Sequence, residues 1–184
     1  MARKPATRKS PSRWPSPTVL KGIRLFATDV DGVLTDAGMY YSESGDEWKK
    51  FNTHDGMGIK LLQKAGIITA IVTQERTRLV ARRAEKLAIS ELHQGVMEKL
   101  SVIREMAARH GLSLQQIAYI GDDVNDIEAL KAVGVSAAPA DGLPKVLDVV
   151  DYVCQKQGGE GAVRELAELI LQSRVEVKVT KQRR

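Results

Sequence analysis

The stretch IRLFATDVDGVLTD, Ile23 to Asp36, decides how the rest of this chain is read. Ile23, Leu25, Phe26 and Ala27 form an apolar run with the character of a buried strand. The run ends in Asp29 and Asp31, one residue apart, followed at once by Gly32. Two carboxylates this close repel, so they call for a bound cation, a shared proton, or both. Asp-x-Asp-Gly also occurs in turns, where aspartates accept backbone hydrogen bonds and glycine supplies a positive φ. The motif alone leaves both readings open, and the other strands decide between them.

Working outward, GMYYSESGDEWKKFN, Gly38 to Asn52, places Tyr40, Tyr41, Trp48 and Phe51 around a polar tip and predicts a β-hairpin turning at Gly45. A hairpin does not stand alone in water, so its aromatics should pack on their own domain or on another subunit. Helical spacing follows over Asp55–Ala65, then a short apolar run, Ile67–Val72, that ends at Thr73. A helix over Arg76–Leu87, a strand over Ile89–His93 and a helix over Lys99–His110 come next. The buried strand Ile117–Ile120 then runs into GDDVND, Gly121–Asp126. Helices over Ile127–Val133, Pro144–Val150 and Ala162–Gln172 and a strand over Val135–Ala138 complete an alternation that predicts an α/β fold, its mainly parallel sheet covered on both faces. Ligands of such sheets bind beyond the carboxyl ends of the strands. The ends at Asp29/Asp31, Thr73 and Asp122/Asp123 should therefore converge in one crevice, and this agreement favours a site over a turn.

At 184 residues, with 43% hydrophobic and 28% charged residues, the chain has the composition of one globular domain. No apolar run approaches the ~20 residues that cross a bilayer, so a soluble protein is expected. The one cysteine, Cys154, excludes an internal disulfide framework and zinc-ligand spacing, and suits a reducing cytoplasm. The formal charge of +5 is unevenly spread: residues 1–21 carry +6 and residues 174–184 carry +4, which leaves −5 on the middle. Residues 1–20, proline-rich and basic without an apolar core, are expected to be a disordered extension, residues 21–173 the folded domain, and residues 174–184 a basic tail. Contact of such tails with nucleic acid would be nonspecific, and the acidic middle argues against it.

With four motifs in order, TDVDGVLTD, IVT ending at Thr73, Lys99 within GVMEKL, and GDDVND, the chain resembles the haloacid dehalogenase-like hydrolases in their phosphatase branch. The resemblance implies a Rossmann-like fold in which Asp29 is the nucleophile that forms an aspartyl-phosphate. Asp31 would protonate the leaving oxygen and then deprotonate the attacking water. Mg²⁺ would be held by the Asp29 carboxylate, the Asp31 carbonyl and Asp122. Thr73 and Lys99 would bind the transferring phosphoryl group, with Asp123 and Asp126 in support. Asp126 could equally cap the next helix, and Asn125 could be only a turn residue.

Between these motifs there is room for the hairpin, Leu34–Thr53, but for no cap domain. The capless branch that residues 22–173 are similar to is that of the sugar-acid phosphatases, which act on 3-deoxy-D-manno-octulosonate 8-phosphate in lipopolysaccharide biosynthesis or on nine-carbon ketoaldonic acid 9-phosphates. The shared segments are the hairpin with FNTHDGMGIK, GDDVND and GGEGAVREL. This likeness implies a homotetramer with hairpins at its centre and sites completed by neighbouring subunits. Thr53 and His54 would reach a neighbour's site, and Arg164 would lie near a site mouth. Where octulosonate phosphatases carry Gly-Arg after the second motif, this chain has Gln74 and Glu75. Glu75 with Arg83 and Lys86 resembles the nine-carbon group, although Gln74 fits neither pattern, and Arg83 and Lys86 also suit a plain solvated face. Two other classes stand beside this one: a noncatalytic or regulatory subunit of a sugar-acid activating system, and a nucleic-acid 3′-phosphatase guided by the basic ends.

Overall fold

The structure, a computed structural model, describes residues 14–181, with side chains to residue 174. In chain order its elements are α1 (Pro17–Gly22), β1 (Leu25–Thr28), the hairpin strands β2 (Tyr40–Tyr41) and β3 (Glu47–Trp48), α2 (Thr53–Lys64), β4 (Ile68–Thr73), α3 (Arg78–Leu87), β5 (Glu91–Gln94), α4 (Lys99–Arg109), β6 (Ile117–Ile120), α5 (Ile127–Ala132), β7 (Val135–Ala138), α6 (Pro144–Leu147), β8 (Tyr152–Val153) and α7 (Ala162–Lys181). Six strands form one sheet in the order β5-β4-β1-β6-β7-β8. Every pairing in it is parallel, so the sheet is more regular than the mainly parallel one expected.

Period-two alternation along the strands supplies both faces. Phe26, Ile71, Ala118, Ile120, Val135 and Ala137 point into one core, shared with Ile59 and Leu62 of α2, Val80 and Ala84 of α3, and Leu166 and Ile170 of α7. Their neighbours Leu25, Ala27, Ala70, Val72, Ile117 and Tyr119 point into the other, against Ile103 and Met106 of α4 and Ala129 and Leu130 of α5. The chain runs from β1 to β4 and β5 on one side and then crosses to β6 on the other. The order therefore reverses at β1/β6, and a crevice opens above their carboxyl ends. Only the hairpin fills the interval from β1 to α2, and only α3 and β5 that from β4 to α4, so among the described residues no cap domain covers it.

Two boundaries differ from expectation. The extension expected through residue 20 is folded from residue 14 onward. Ser16 caps α1 by accepting a hydrogen bond from the Val19 amide, Leu20 is buried, and Trp14 meets Tyr152 edge-on at 4.8 Å between ring centroids. The remainder of that extension, residues 1–13, lies outside the described residues. At the other end α7 continues to Lys181 instead of stopping at Gln172, and the Arg174 guanidinium donates to the carbonyls of Ile23 and Ala65. The place where a basic tail was expected to begin is thus tied to the domain. Strand β8 is an addition, two residues long and recognisable only from its pairing with β7.

Candidate active site

Three strand ends build the crevice, as their sequences imply. Asp29 follows β1, Thr73 closes β4 and Asp122 follows β6. These residues line one cavity of about 480 Å³ together with Asp31, Ala37, Gln74, Glu75, Asp123 and Asn125. The Asp29 amide donates to the Ile120 carbonyl, which continues the β1–β6 ladder one residue further. Beyond it the chain turns sharply, with the amides of Val33, Leu34 and Thr35 all converging on the Val30 carbonyl. Gly32 adopts a φ of +81°, and a Cβ there would overlap the Asp122 carboxylate. Glycine is required here because the two aspartate loops touch.

Lys99 opens α4 and is almost fully buried, with its ammonium 2.9 Å from Asp29 Oδ2 and 2.6 Å from Asp126 Oδ1. Asp126, also buried, accepts from the Tyr119 hydroxyl at 2.5 Å and from the amides of Asp122 and Asp123 at 3.0 and 3.2 Å. Asp126 thus pairs with Lys99 and closes the turn that precedes α5, but its carboxylate does not cap α5 as considered, because it is already spent on that turn, on Lys99 and on Tyr119. Asp123 caps the same turn by accepting from the Val124 amide. Asn125 donates to Gln74 Oε1 at 3.1 Å across the crevice, and Gln74 is not among the residues with positive φ. The backbone after Thr73 accordingly has no need of the glycine found in the octulosonate pattern.

The charges in this pocket do not balance. Oxygens of Asp29, Asp122 and Asp126 lie within 4.8 Å of one another, and among the described residues the one ammonium paired with them is that of Lys99. Burial, together with the negative charge of Asp126, outweighs Lys99 and pushes the Asp29 carboxyl up to about 7. Burial, Asp29 and Asp126 push Asp122 up to about 8. Lys99 stays charged: burial opposes its ammonium, but Asp29 and Asp126 outweigh that effect. Asp122 Oδ1 is buried without a hydrogen-bond partner. Surplus negative charge, hard oxygen donors and an orphan carboxylate oxygen together fit a small divalent cation.

Asp31 meets a residue that sequence reasoning missed. Lys49, at the end of the hairpin, reaches back to Asp31 Oδ1 at 2.5 Å and to Glu75 Oε2 at 2.6 Å. Burial opposes the Lys49 charge, but the hydrogen bonds to Asp31 and Glu75 outweigh it and raise its pKa. Tyr119, another unexpected contributor, reads in IAYI as a core residue. No sequence signal separates Lys49 from the other surface lysines or reveals that Tyr119 ends on a carboxylate.

The remaining residues suggested for substrate binding lie apart from the crevice in this chain. Arg83 and Lys86 line a neighbouring groove of about 490 Å³ with Lys49 and Phe51. Arg83 is half-committed to structure, since it donates to the Asn52 carbonyl at 2.8 Å and stacks over Phe51. Thr53 and His54 are exposed at the start of α2. His54 and Arg164 line a third cavity, of about 400 Å³, and the Arg164 guanidinium pairs with Glu168 at 2.7 Å.

The GGEGAVREL segment packs behind the aspartate loop. The Gly159 amide donates to the Val33 carbonyl at 2.9 Å, and a Cβ on Gly158 would overlap the Gly32 carbonyl oxygen. Asp55, buried in the first turn of α2, accepts from the Arg164 amide and ties the start of α7 to the same region. Within this chain these glycines back the aspartate loop.

Comparison with known proteins identifies the family. A family model for haloacid dehalogenase-like hydrolases matches residues 86–166. The 3-deoxy-D-manno-octulosonate 8-phosphate phosphatase KdsC of Yersinia pestis is 44% identical over 149 residues, 81% of this chain and 80% of that protein. The chain belongs to the haloacid dehalogenase-like hydrolases. A second relative of this hydrolase, KdsC of Escherichia coli K12, is 39% identical over 151 residues, 82% of this chain and 80% of that protein. Among solved structures, the octulosonate 8-phosphate phosphatase of Moraxella catarrhalis, in complex with magnesium, phosphate and KDO, superposes with a TM-score of 0.83. It is 41% identical, over 85% of this chain and 90% of that one. The cobalt-bound enzyme of Haemophilus influenzae superposes at 0.81 with 39% identity, over 84% of this chain and 91% of that one.

Proposed function

We propose that this hydrolase is a Mg²⁺-dependent sugar-acid phosphatase, acting on 3-deoxy-D-manno-octulosonate 8-phosphate or a nine-carbon ketoaldonic acid 9-phosphate through an aspartyl-phosphate. Its family makes it a phosphoric monoester hydrolase. The observation that carries the rest is the buried Lys99 ammonium, 2.9 Å from Asp29 within a cluster of acids that it cannot neutralise alone. Phosphate monoesters are anionic, so their hydrolysis needs positive charge beside an in-line nucleophile.

In the first step an Asp29 carboxylate oxygen attacks phosphorus, the bond from phosphorus to the sugar oxygen breaks, and Asp31 gives that oxygen its proton. In the second, Asp31 takes a proton from water, the water oxygen attacks phosphorus, and inorganic phosphate leaves with Asp29 restored. Lys99 and the Thr73 hydroxyl hold the equatorial oxygens during both transfers. The Asp29 carboxylate, the Asp31 carbonyl and Asp122 would hold Mg²⁺, which supplies the positive charge that the acid cluster lacks.

Substrate choice falls to groups around the crevice. Glu75 lies at its wall and Arg83 and Lys86 lie in the adjoining groove, while Thr53 and His54 would reach a neighbour's site and Arg164 would lie near a site mouth. A homotetramer is supported by Tyr40, Tyr41 and Trp48, which remain exposed on the hairpin. A cytoplasmic setting is supported by the free Cys154, and among the described residues no helix is long and apolar enough to cross a membrane. The test is kcat/KM in Mg²⁺ for the eight-carbon and nine-carbon substrates against a simple phosphate ester. A preference for either sugar acid upholds the proposal, and equality with the simple ester removes the sugar-acid part. Full activity in Asp29→Asn would refute the mechanism.

A further inference from the structure

Lys49 ties the hairpin to two acids of the crevice. Lys49 follows β3, whose Trp48 is exposed, yet the Lys49 side chain itself has no accessible surface. An ammonium has three N–H donors, and here each has an acceptor: Asp31 Oδ1 at 2.5 Å, Glu75 Oε2 at 2.6 Å and the Met39 sulfur at 3.9 Å. A lysine with its donors spent on the protein is poorly placed to bind substrate. What it does is hold one oxygen of Asp31, whose other side-chain hydrogen bond among the described residues is a 3.4 Å contact with the Thr35 hydroxyl. Glu75 neutralises Lys49 from the far side, which makes burial of that charge tolerable.

We propose that Lys49, clasped by Glu75, is a positioning residue for Asp31. The pair fixes Oδ1 so that Oδ2 stays free for the proton passed to the leaving oxygen. This rests on the reading of Asp31 as the proton donor. It also gives Glu75 a role distinct from contact with sugar hydroxyls: the second-motif position acts on the first motif through the hairpin lysine.

The consequence is a dependence on the leaving group. An alkyl phosphate such as a sugar phosphate needs its leaving oxygen protonated, whereas p-nitrophenolate leaves without a proton. kcat/KM covers the steps up to the first irreversible one, here departure of the leaving group, and so isolates the donor role from the later use of Asp31 as a base. Lys49→Met is expected to lower kcat/KM for the sugar phosphate by ~100-fold, the order of a misplaced general acid, with the loss in kcat rather than KM. Its effect on p-nitrophenyl phosphate should stay within about 5-fold, because only the proton transfer is impaired. Glu75→Gln should show the same selective loss at smaller size, Lys49→Arg should restore part of it, and the double variant should be no worse than Lys49→Met alone.

An equal loss for both substrates, or no loss for either, would overturn the proposal, as would a loss confined to KM. Asp31→Asn serves as the internal reference. If it shows the same split, the donor reading stands and the Lys49 result judges the proposal by itself. If it shows no split, the donor reading fails and the proposal with it.

Discussion

Gly158→Ala tests whether the aspartate loop is held from behind. Built on the observed backbone, the new Cβ would overlap the Gly32 carbonyl oxygen, stand 2.5 Å from the carbon of that carbonyl, and lie 3.0 Å from the Thr35 oxygen. These are backbone atoms, so no rotamer change relieves the clash. Ordinary contacts between carbon and carbonyl oxygen lie at about 3.3–3.6 Å, so the two segments must part by roughly 1 Å or more. Gly32 adjoins Asp31 and packs on the Asp122 carboxylate, so the displacement reaches the chemistry directly. A misplacement of ~1 Å costs about 100-fold in rate, equivalent to ~2.7 kcal/mol in the barrier. Overpacking should also cost about 1–3 kcal/mol of stability, and in a domain of this size that lowers Tm by roughly 2–4 °C for each kcal/mol. The assay is kcat/KM for p-nitrophenyl phosphate in saturating Mg²⁺, with thermal unfolding alongside. A variant within twofold of the parent and with an unmoved Tm would refute the claim that this glycine segment sets the geometry of the loop.

Three other outcomes are expected. Because Asp29 and Asp122 are raised to about 7 and about 8 in the folded protein, the fold binds protons that the unfolded chain releases near pH 4; in chelator, Tm should fall as pH rises from 5 to 8. Mg²⁺ binds the ionised carboxylates, so it should raise Tm more at pH 8 than at pH 5, and equal shifts at both would refute the charge argument. Tyr119→Phe removes a buried hydroxyl from Asp126 and should cost about 1.5–3 kcal/mol in a urea titration. Trp48→Glu puts charge on the exposed hairpin face and should yield smaller assemblies by analytical ultracentrifugation, whereas an unchanged mass would separate the hairpin from assembly.

Short elements mark one limit of legibility. Helix α1 and strand β8 are too brief to declare themselves through periodicity, and β8 exists only through its ladder with β7. Pro15 and Pro17 among serines read as an extension, but proline suits the first turn of a helix, and burial of Leu20 supplies what propensity does not. The site divides in the same way. Asp29, Thr73 and Asp122 were legible because each ends an apolar strand, and parallel strands bring their carboxyl ends to one edge. Glu75, Arg83 and Lys86 read as one group in the sequence, yet Glu75 lies in the crevice and the other two lie in a separate groove of this chain.

By itself, then, the sequence determined the layers of the sheet, the edge at which the crevice opens and the acids that line it, since apolar period and strand ends are local properties. Only the tertiary structure decided that Lys49 clasps Asp31, that Tyr119 ends on Asp126, and that Gly158 backs Gly32. Each of these is a contact between segments that no local pattern links. Whether a lysine or glycine meets a catalytic loop depends on how helices and hairpin pack against the sheet, and that is settled by the whole core at once.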